Sequence, residues 1–102
     1  MDKKVKDAKQ PTAKAKADKT DVKVGDTVTV NGSESTDPDK NGLSYKWEIK
    51  PPEGSSVKNG KQDNTTKLLT FTADKPGAYV VKLIVNDGRK DSDPSEVTIN
   101  AN

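Results

Sequence analysis

Apolar residues recur at every second position in several short stretches of this chain. The stretches are residues 13–17, 26–31, 43–49, 65–72, 78–86 and 95–100. A period of two is typical of strands that bury one face, because successive side chains point to opposite sides of a sheet. A period of 3.6, as an amphipathic helix requires, does not extend over a useful length anywhere. The pattern therefore predicts strands and no helices.

The stretch 78–86 carries the strongest strand signal. Four of its apolar residues fall on one face, namely Tyr79, Val81, Leu83 and Val85. Val80 and Ile84 fall on the opposite face, so this strand is predicted to be central and partly covered on both sides. The stretch 13–17 has only alanine on its apolar face and lysine between, which favours an edge strand whose charges discourage pairing with other chains.

Turn-forming residues separate the strands at short intervals. Loops are predicted at Gly32–Gly42, Pro51–Gly54, Asp74–Gly77 and Asp87–Gly88, which are rich in Gly, Pro, Asp and Asn. A short additional strand is expected near Val57. About seven short strands punctuated in this way are typical of an antiparallel sandwich. The predicted fold is an all-β, seven-strand antiparallel β-sandwich.

The charge distribution places the boundary of the folded part. The chain has 102 residues, 33% of them charged, and a net charge of +2. Residues 1–20 carry seven Lys and three Asp, so the positive excess lies near the beginning. We expect residues 1–10 to be a disordered basic tail or linker and residues 11–102 to be one domain. The folded part has no basic stripe with interleaved aromatic residues, so no nucleic acid is expected as a partner.

Several classes of function are excluded or disfavoured by residue types. The chain has no His and no Cys, so it has no Ser-His-Asp or Cys-His nucleophile and no zinc site of those ligands. A pair of carboxylates could still act as acid and base, but it needs a cleft that a small core cannot provide. No window of about 18 apolar residues predicts insertion into a membrane. The chain is expected not to be an enzyme.

The order of motifs resembles the PKD (polycystic kidney disease) domain family in its bacterial and archaeal form. The matching residues are Ala15, Val24-Gly25-Asp26, Val28, Val30, Asn31-Gly32-Ser33, Ser35, Asp37-Pro38-Asp39, Leu43, Tyr45, Trp47, Phe71, Gly77, Tyr79, Val81, Leu83, Val85 and Asp87-Gly88. Many members continue Trp-Asp-Phe-Gly-Asp-Gly, whereas this chain continues Glu48-Ile49-Lys50-Pro51-Pro52 after Trp47, as in a longer-loop branch. The resemblance implies an immunoglobulin-like sandwich of the kind found between other modules of extracellular and cell-surface proteins.

A calcium loop of the EF-hand type is suggested by spacing alone. Asp37, Asp39, Asn41 and Gly42 followed by Glu48 fit its sequence pattern. An EF-hand requires helices on both sides, and the flanks here are predicted strands. In a strand, Gly42 and Glu48 lie roughly 20 Å apart, so Glu48 could not reach the same ion. The EF-hand interpretation is therefore rejected.

A looser calcium site survives this argument. In a sandwich of this topology, the loop 32–42 and the connection 86–93 lie at the same end. Five acidic residues could converge there, namely Asp37, Asp39, Asp87, Asp91 and Asp93, and Asp37, Asp39 and Asp87 are the candidate calcium ligands. Carboxylate oxygens suit this hard cation. The alternative is that these Asp residues only stabilise turns by accepting hydrogen bonds from nearby backbone N–H groups.

The four aromatic residues bear on recognition of carbohydrate. Tyr45, Trp47, Phe71 and Tyr79 all fall on predicted inward faces. No row of exposed rings would then be left to stack on sugars. Tyr79 follows a Pro-Gly turn, which is the position of a tyrosine corner, where the hydroxyl bonds back to nearby backbone.

The expected function follows from the resemblance and from the absence of a catalytic site. The chain is expected to be a monomeric, non-catalytic extracellular or cell-surface module. It would act as a spacer or protein-interaction domain within a larger surface protein or secreted hydrolase. Its partners would be neighbouring modules of the same polypeptide. The alternative is a calcium-stabilised binding module that recognises extracellular protein or polysaccharide through the acidic loop end or an edge strand.

Overall fold

The computed structural model describes residues 10–37, 43–62 and 66–102, and all regular elements within these ranges are strands. They contain no helix that could cross a membrane. The eight strands are β1 Lys16–Ala17, β2 Asp21–Val22, β3 Thr27–Asn31, β4 Ser44–Lys50, β5 Gly60–Lys61, β6 Leu68–Thr72, β7 Gly77–Asn86 and β8 Ser95–Ala101. The predicted disordered tail falls almost entirely outside the described residues and stays a prediction.

The strands form two sheets that face each other. One sheet has the order β1-β3-β6 and the other the order β2-β8-β7-β4-β5. The predicted all-β sandwich is confirmed, and β7 lies in the middle of the larger sheet as expected. Its neighbours β4 and β8 are both antiparallel to it. β7 is paired on both sides along most of its ten residues, so it positions the loops at both ends of the molecule.

The core lies between the sheets and follows the predicted alternation. Trp47, Tyr79, Leu83 and Val28 are completely buried, and Ile49 is nearly so. The other buried apolar residues are Val22, Val30, Leu69, Phe71, Ala73, Val81, Val85, Ile99 and Ala101. Every one of these side chains belongs to a strand or to the residue next to one. The burial of this apolar surface, at roughly 25 cal/mol per Å², is the main contribution to stability.

The structure differs from the prediction in strand number and in one pairing direction. It has eight described strands where seven were expected, and β2 pairs in parallel with β8. The chain crosses between sheets after Asp18, whose N–H donates to Thr29 O at 3.0 Å. Two residues later, Thr20 O accepts from Asn100 N at 2.7 Å in the other sheet. One continuous polar stretch thus supplies two short edge strands, which alternation alone could not separate.

Candidate functional site

Asp87 terminates β7 and organises the connection to β8. Its side chain is 7% exposed, and its carboxylate accepts hydrogen bonds from the backbone N–H groups of Arg89 and Lys90, both at 2.9 Å. These two bonds lower the pKa of Asp87 below its usual range. Gly88 lies in the left-handed region at φ 100°, which a residue without Cβ adopts at little cost. Asp87 therefore acts as the acceptor of a tight turn.

The two following acidic side chains also have protein partners. Asp91 Oδ1 accepts from Asn86 Nδ2 at 2.7 Å and lies 3.5 Å from Lys46 Nζ. The hydrogen bond from Asn86, followed by the Lys46 charge, lowers the pKa of Asp91. Asp93 Oδ1 accepts from Gln10 Nε2 at 3.2 Å. These contacts fix the loop to β4 and to the beginning of the described chain.

Two of the three predicted calcium ligands, Asp37 and Asp87, lie within the described residues. Asp37 is partly buried near the Thr12–Thr36 bridge, and Asp39 lies outside the described residues. Within residues 10–37, 43–62 and 66–102, no group of three acidic side chains is arranged to hold a metal ion. One carboxylate oxygen of Asp87, Oδ1, already accepts two backbone N–H hydrogen bonds. Calcium binding by Asp37, Asp39 and Asp87 stays a prediction.

Tyr79 forms the tyrosine corner that its position predicted. Its hydroxyl oxygen accepts from the backbone N–H groups of Asp74 and Lys75 at 3.1 and 2.9 Å. The hydroxyl lies 2.7 Å from Lys75 O and 3.1 Å from Asp74 Oδ1, and its single proton can be donated to either acceptor. A fully buried ring with a satisfied hydroxyl has a structural role.

Asp74 contributes its carboxylate to this corner, although the sequence indicates only a turn at its position. Its carboxylate accepts from Ser55 Oγ and from Ser56 N, each at 2.6 Å. The Ser55 bond, followed by the Ser56 bond, lowers the pKa of Asp74 to about 2. Asp74 thereby attaches the loop after β4 to the turn before β7. Sequence offered no signal for this contact, because Ser55 lies in a different predicted loop.

The aromatic side chains lie inside, as predicted, with one partial exception. Trp47 is fully buried and its Nε1–H donates to Thr66 O at 2.7 Å. The rings of Phe71 and Tyr79 pack with their centroids 5.4 Å apart. Tyr45 is only partly buried at the edge of the core. The chain's Phe, Trp and Tyr residues therefore offer no flat row of exposed rings.

The solvent-facing side of the larger sheet carries a row of alternating charges. The strand register places Lys61, Glu48, Lys82 and Glu96 side by side across β5, β4, β7 and β8. Lys82 Nζ lies 4.0 Å from Glu96 Oε2. Three residues of this row, Glu48, Lys82 and Glu96, line a depression of about 430 Å³ together with Val80. Such a surface is polar and balanced in charge, and its pattern becomes visible only once the register is known.

The two ends of the described chain lie at opposite ends of β7. Gln10 Nε2 donates to Asp91 O at 3.0 Å, and Asp91 bridges Asn86, the last residue of β7. At the other end, Ala101 pairs with Gly77, the first residue of β7. Ten strand residues span roughly 30 Å. The described chain therefore begins and ends at opposite ends of the larger sheet.

Two facing sheets, a parallel edge strand and a tyrosine corner define an immunoglobulin-like β-sandwich. Residues 15–101 match the family model described as "K319L-like, PKD domain". A curated mouse relative, the dyslexia-associated protein KIAA0319-like protein, is 35% identical over 92 residues, which cover 89% of this chain and 8% of that protein. The chain therefore belongs to the PKD domain family, as its sequence motifs had indicated.

Two solved structures are similar in fold. One comes from a study titled for the promiscuous specificity of carbohydrate-binding modules of the β-sandwich superfamily, with 27% identity and a TM-score of 0.74. The match covers 92% of this chain and 35% of that one. The other is the PKD domain of an M14-like peptidase from a Thermoplasmatales archaeon, with 20% identity, a TM-score of 0.58 and coverage of 90% and 92%. The chain thus spans 8% of the mouse relative and 35% of the structure from the carbohydrate-binding study.

Proposed function

We propose that this chain is a non-catalytic spacer module that separates neighbouring modules of an extracellular or cell-surface protein and carries tension between them. The observation that carries the proposal is the position of the chain ends at opposite ends of β7. A module of this shape adds roughly 30 Å between whatever precedes and follows it. Its membership of the PKD family supports an accessory role within a longer polypeptide.

The pairing of the terminal segments supports the load-bearing part of the proposal. Asn100 N donates to Thr20 O at 2.7 Å, and Asn102 N donates to Val22 O at 2.9 Å. Val24 N donates back to Asn102 O at 3.1 Å. β2 and β8 run parallel to each other. Tension pulls the chain before β2 toward one end of the molecule and the chain after β8 toward the other, so it slides the two strands past each other. The three bonds are then loaded together and not one after another.

Single-molecule pulling through the two chain ends tests this function. Val24→Pro removes the N–H that bonds to Asn102 and should lower the unfolding force. Val24→Ala keeps that N–H and serves as the matched control, because Val24 is 43% exposed and contributes little to the core. Pulling from Gly88 and Asn102 instead should also lower the force. Equal forces for Val24→Pro and Val24→Ala would contradict the load-bearing role.

A second candidate function is binding of polysaccharide or protein. The similarity to a structure from a study of carbohydrate-binding modules favours it, and the depression lined by Glu48 and Lys82 offers a surface. The burial of Trp47 and Tyr79 weighs against recognition by ring stacking. An NMR titration with soluble polysaccharides separates the two candidates. Localised shifts of the Glu48, Lys82 and Glu96 amides would favour binding, whereas an unchanged spectrum would favour the spacer.

A further inference from the structure

The outer edge of β6 has hydrogen-bonding groups that no other described residue uses. Gly32 N donates to Lys67 O at 2.6 Å, and Ala73 N donates to Asp26 O at 3.0 Å. The β3–β6 register places these two pairs at the two ends of one antiparallel ladder. In such a ladder, hydrogen-bonded pairs alternate with non-bonded pairs. The N–H and C=O groups of Leu69 and Phe71 therefore point toward β3.

By the same alternation, the backbone groups of Thr70 and Thr72 point away from β3. β6 is the last strand of its sheet, and no strand in the described part of the chain pairs with this side. Both threonines are exposed. Together they present two N–H donors and two C=O acceptors to solvent. Leu68, at the beginning of the strand, is 43% exposed and adds an apolar side chain to the same edge.

The β6 edge differs from the other edges in its charge. β1 carries Lys16, β2 carries Asp21 and β5 carries Lys61. Charges on an edge strand discourage pairing with another chain. β6 has the sequence Leu-Leu-Thr-Phe-Thr and contains no charged residue. It combines high strand propensity with an outer edge that no described strand pairs with, a combination that natural domains usually avoid unless the edge is used.

We propose that β6 pairs with β6 of a second copy of this chain and forms a two-fold symmetric dimer. Antiparallel pairing centred on Phe71 places Thr70 of one copy opposite Thr72 of the other. The two N–H groups of each copy then donate to the two C=O groups of the other copy, which gives four hydrogen bonds in all. The resulting sheet has the order β1-β3-β6-β6-β3-β1, and its outer strands carry Lys16, so the pairing stops at two copies.

The dimer goes beyond the spacer function and differs from the monomer expected from sequence. Because the pairing is antiparallel and the chain ends lie at opposite ends of the strands, it would let two polypeptides that run in opposite directions adhere side by side at this module. Because the pairing uses few side chains, affinity comes from main-chain hydrogen bonds and is modest.

Sedimentation equilibrium of the full chain, from about 10 µM to about 1 mM, tests the dimer. Thr70→Pro removes the outward N–H and is tolerated at an edge position; it should weaken association at least about tenfold. Thr70→Lys places a charge on the edge and should weaken it as well. Thr29→Lys is the matched control, since Thr29 faces the same side opposite Thr70 but lies on the central strand β3.

A wild-type dimer that is weakened by Thr70→Pro and Thr70→Lys but kept by Thr29→Lys supports the proposal, as do concentration-dependent NMR shifts confined to residues 68–73. A wild-type chain that stays monomeric at about 1 mM overturns it and leaves the edge to a strand of a different polypeptide. Equal weakening by Thr29→Lys also overturns it, because the contact would then use the sheet face.

Discussion

The hydroxyl oxygen of Tyr79 accepts a hydrogen bond from the backbone N–H of Lys75 at 2.9 Å, four residues before it in the chain. This contact closes the turn that leads into β7. The neighbouring N–H of Asp74 donates to the same oxygen at 3.1 Å. One buried phenol therefore satisfies two backbone donors at the beginning of the central strand, at the end of the molecule from which Asn102 leaves.

Tyr79→Phe should lower the free energy of unfolding by about 1–3 kcal/mol, because it leaves two part-buried N–H donors without their acceptor. Urea denaturation followed by circular dichroism measures the change. Tyr45→Phe is the control: Tyr45 is partly buried on the neighbouring strand β4, and we expect less than about 0.5 kcal/mol there. Similar losses at the two positions would contradict a special role of the corner.

Acid should weaken the attachment between the loop after β4 and this corner. The pKa of Asp74 is lowered to about 2, chiefly by the hydrogen bond from Ser55. A lowered folded-state pKa contributes stability at pH values above the unfolded-state pKa of about 3.9. That contribution falls as the pH falls from about 4 through about 2. Wild-type stability should therefore decrease over this window.

The variant Asp74→Ala isolates this contribution. It should be less stable than the wild type near pH 6, and the difference between the two should shrink as the pH approaches 2. Urea denaturation at a series of pH values measures it. Asp21→Ala is the control, since Asp21 is an exposed residue of the short strand β2. A difference that is constant with pH for Asp74→Ala would show that its loss is one of packing only.

Sequence pattern was sufficient for the central part of the fold. The alternation around Trp47 and along β7 predicted both strands, their buried faces and the central position of β7, because a two-residue period directly reports burial. The Pro-Gly turn before Tyr79 predicted the tyrosine corner for a similar reason. Both features depend on residues that are close in sequence, where local preference and tertiary structure agree.

Features that depend on pairing between distant segments were not predictable in the same way. The parallel pairing of Asp21 and Val22 with β8 requires the chain to change sheets, and nothing in the composition of residues 16–22 marks that point. The contact of Asp74 with Ser55 joins two loops 19 residues apart. The position of β6 as the last described strand of its sheet likewise appears only when the sheet order is known. Each is set by register, which a single sequence does not report.

Gly77 should tolerate substitution much less well than Gly25. Both have positive φ, 135° and 101° respectively, so alanine adds backbone strain of about 1–3 kcal/mol at either site. At Gly77, a Cβ would also lie 2.7 Å from Pro52 Cβ, whereas at Gly25 no atom lies within 4 Å. Overpacking typically adds about 1–3 kcal/mol.

Thermal or urea unfolding of Gly77→Ala and Gly25→Ala compares these terms directly. We expect both variants to be less stable than the wild type and Gly77→Ala to lose clearly more. The difference between them measures the contact of residue 77 with Pro52 at the entry to β7. If the two variants lose the same amount, the Pro52 loop moves aside at little cost.

Asp87 allows its turn role to be separated from the predicted calcium role. Its carboxylate accepts two backbone N–H bonds, so Asp87→Ala should lower stability even in a chelator. Asp37→Ala should show a calcium-dependent loss if Asp37, Asp39 and Asp87 bind the ion together. Unfolding curves in EDTA and in millimolar calcium, with calorimetric titration of the wild type, measure both. Absence of heat and of any calcium effect would remove the metal site.

Trp47 reports on the burial that leaves no row of exposed aromatic rings on this module. Its indole is fully buried and its N–H donates to Thr66 O at 2.7 Å. Since it is the only tryptophan in the chain, its fluorescence is assigned without ambiguity. We expect emission well to the blue of the unfolded chain and little quenching by iodide, with both changing together on urea unfolding. Emission like that of the unfolded chain in native buffer would place the ring at the surface. A ring available for stacking would then make polysaccharide binding the leading candidate function.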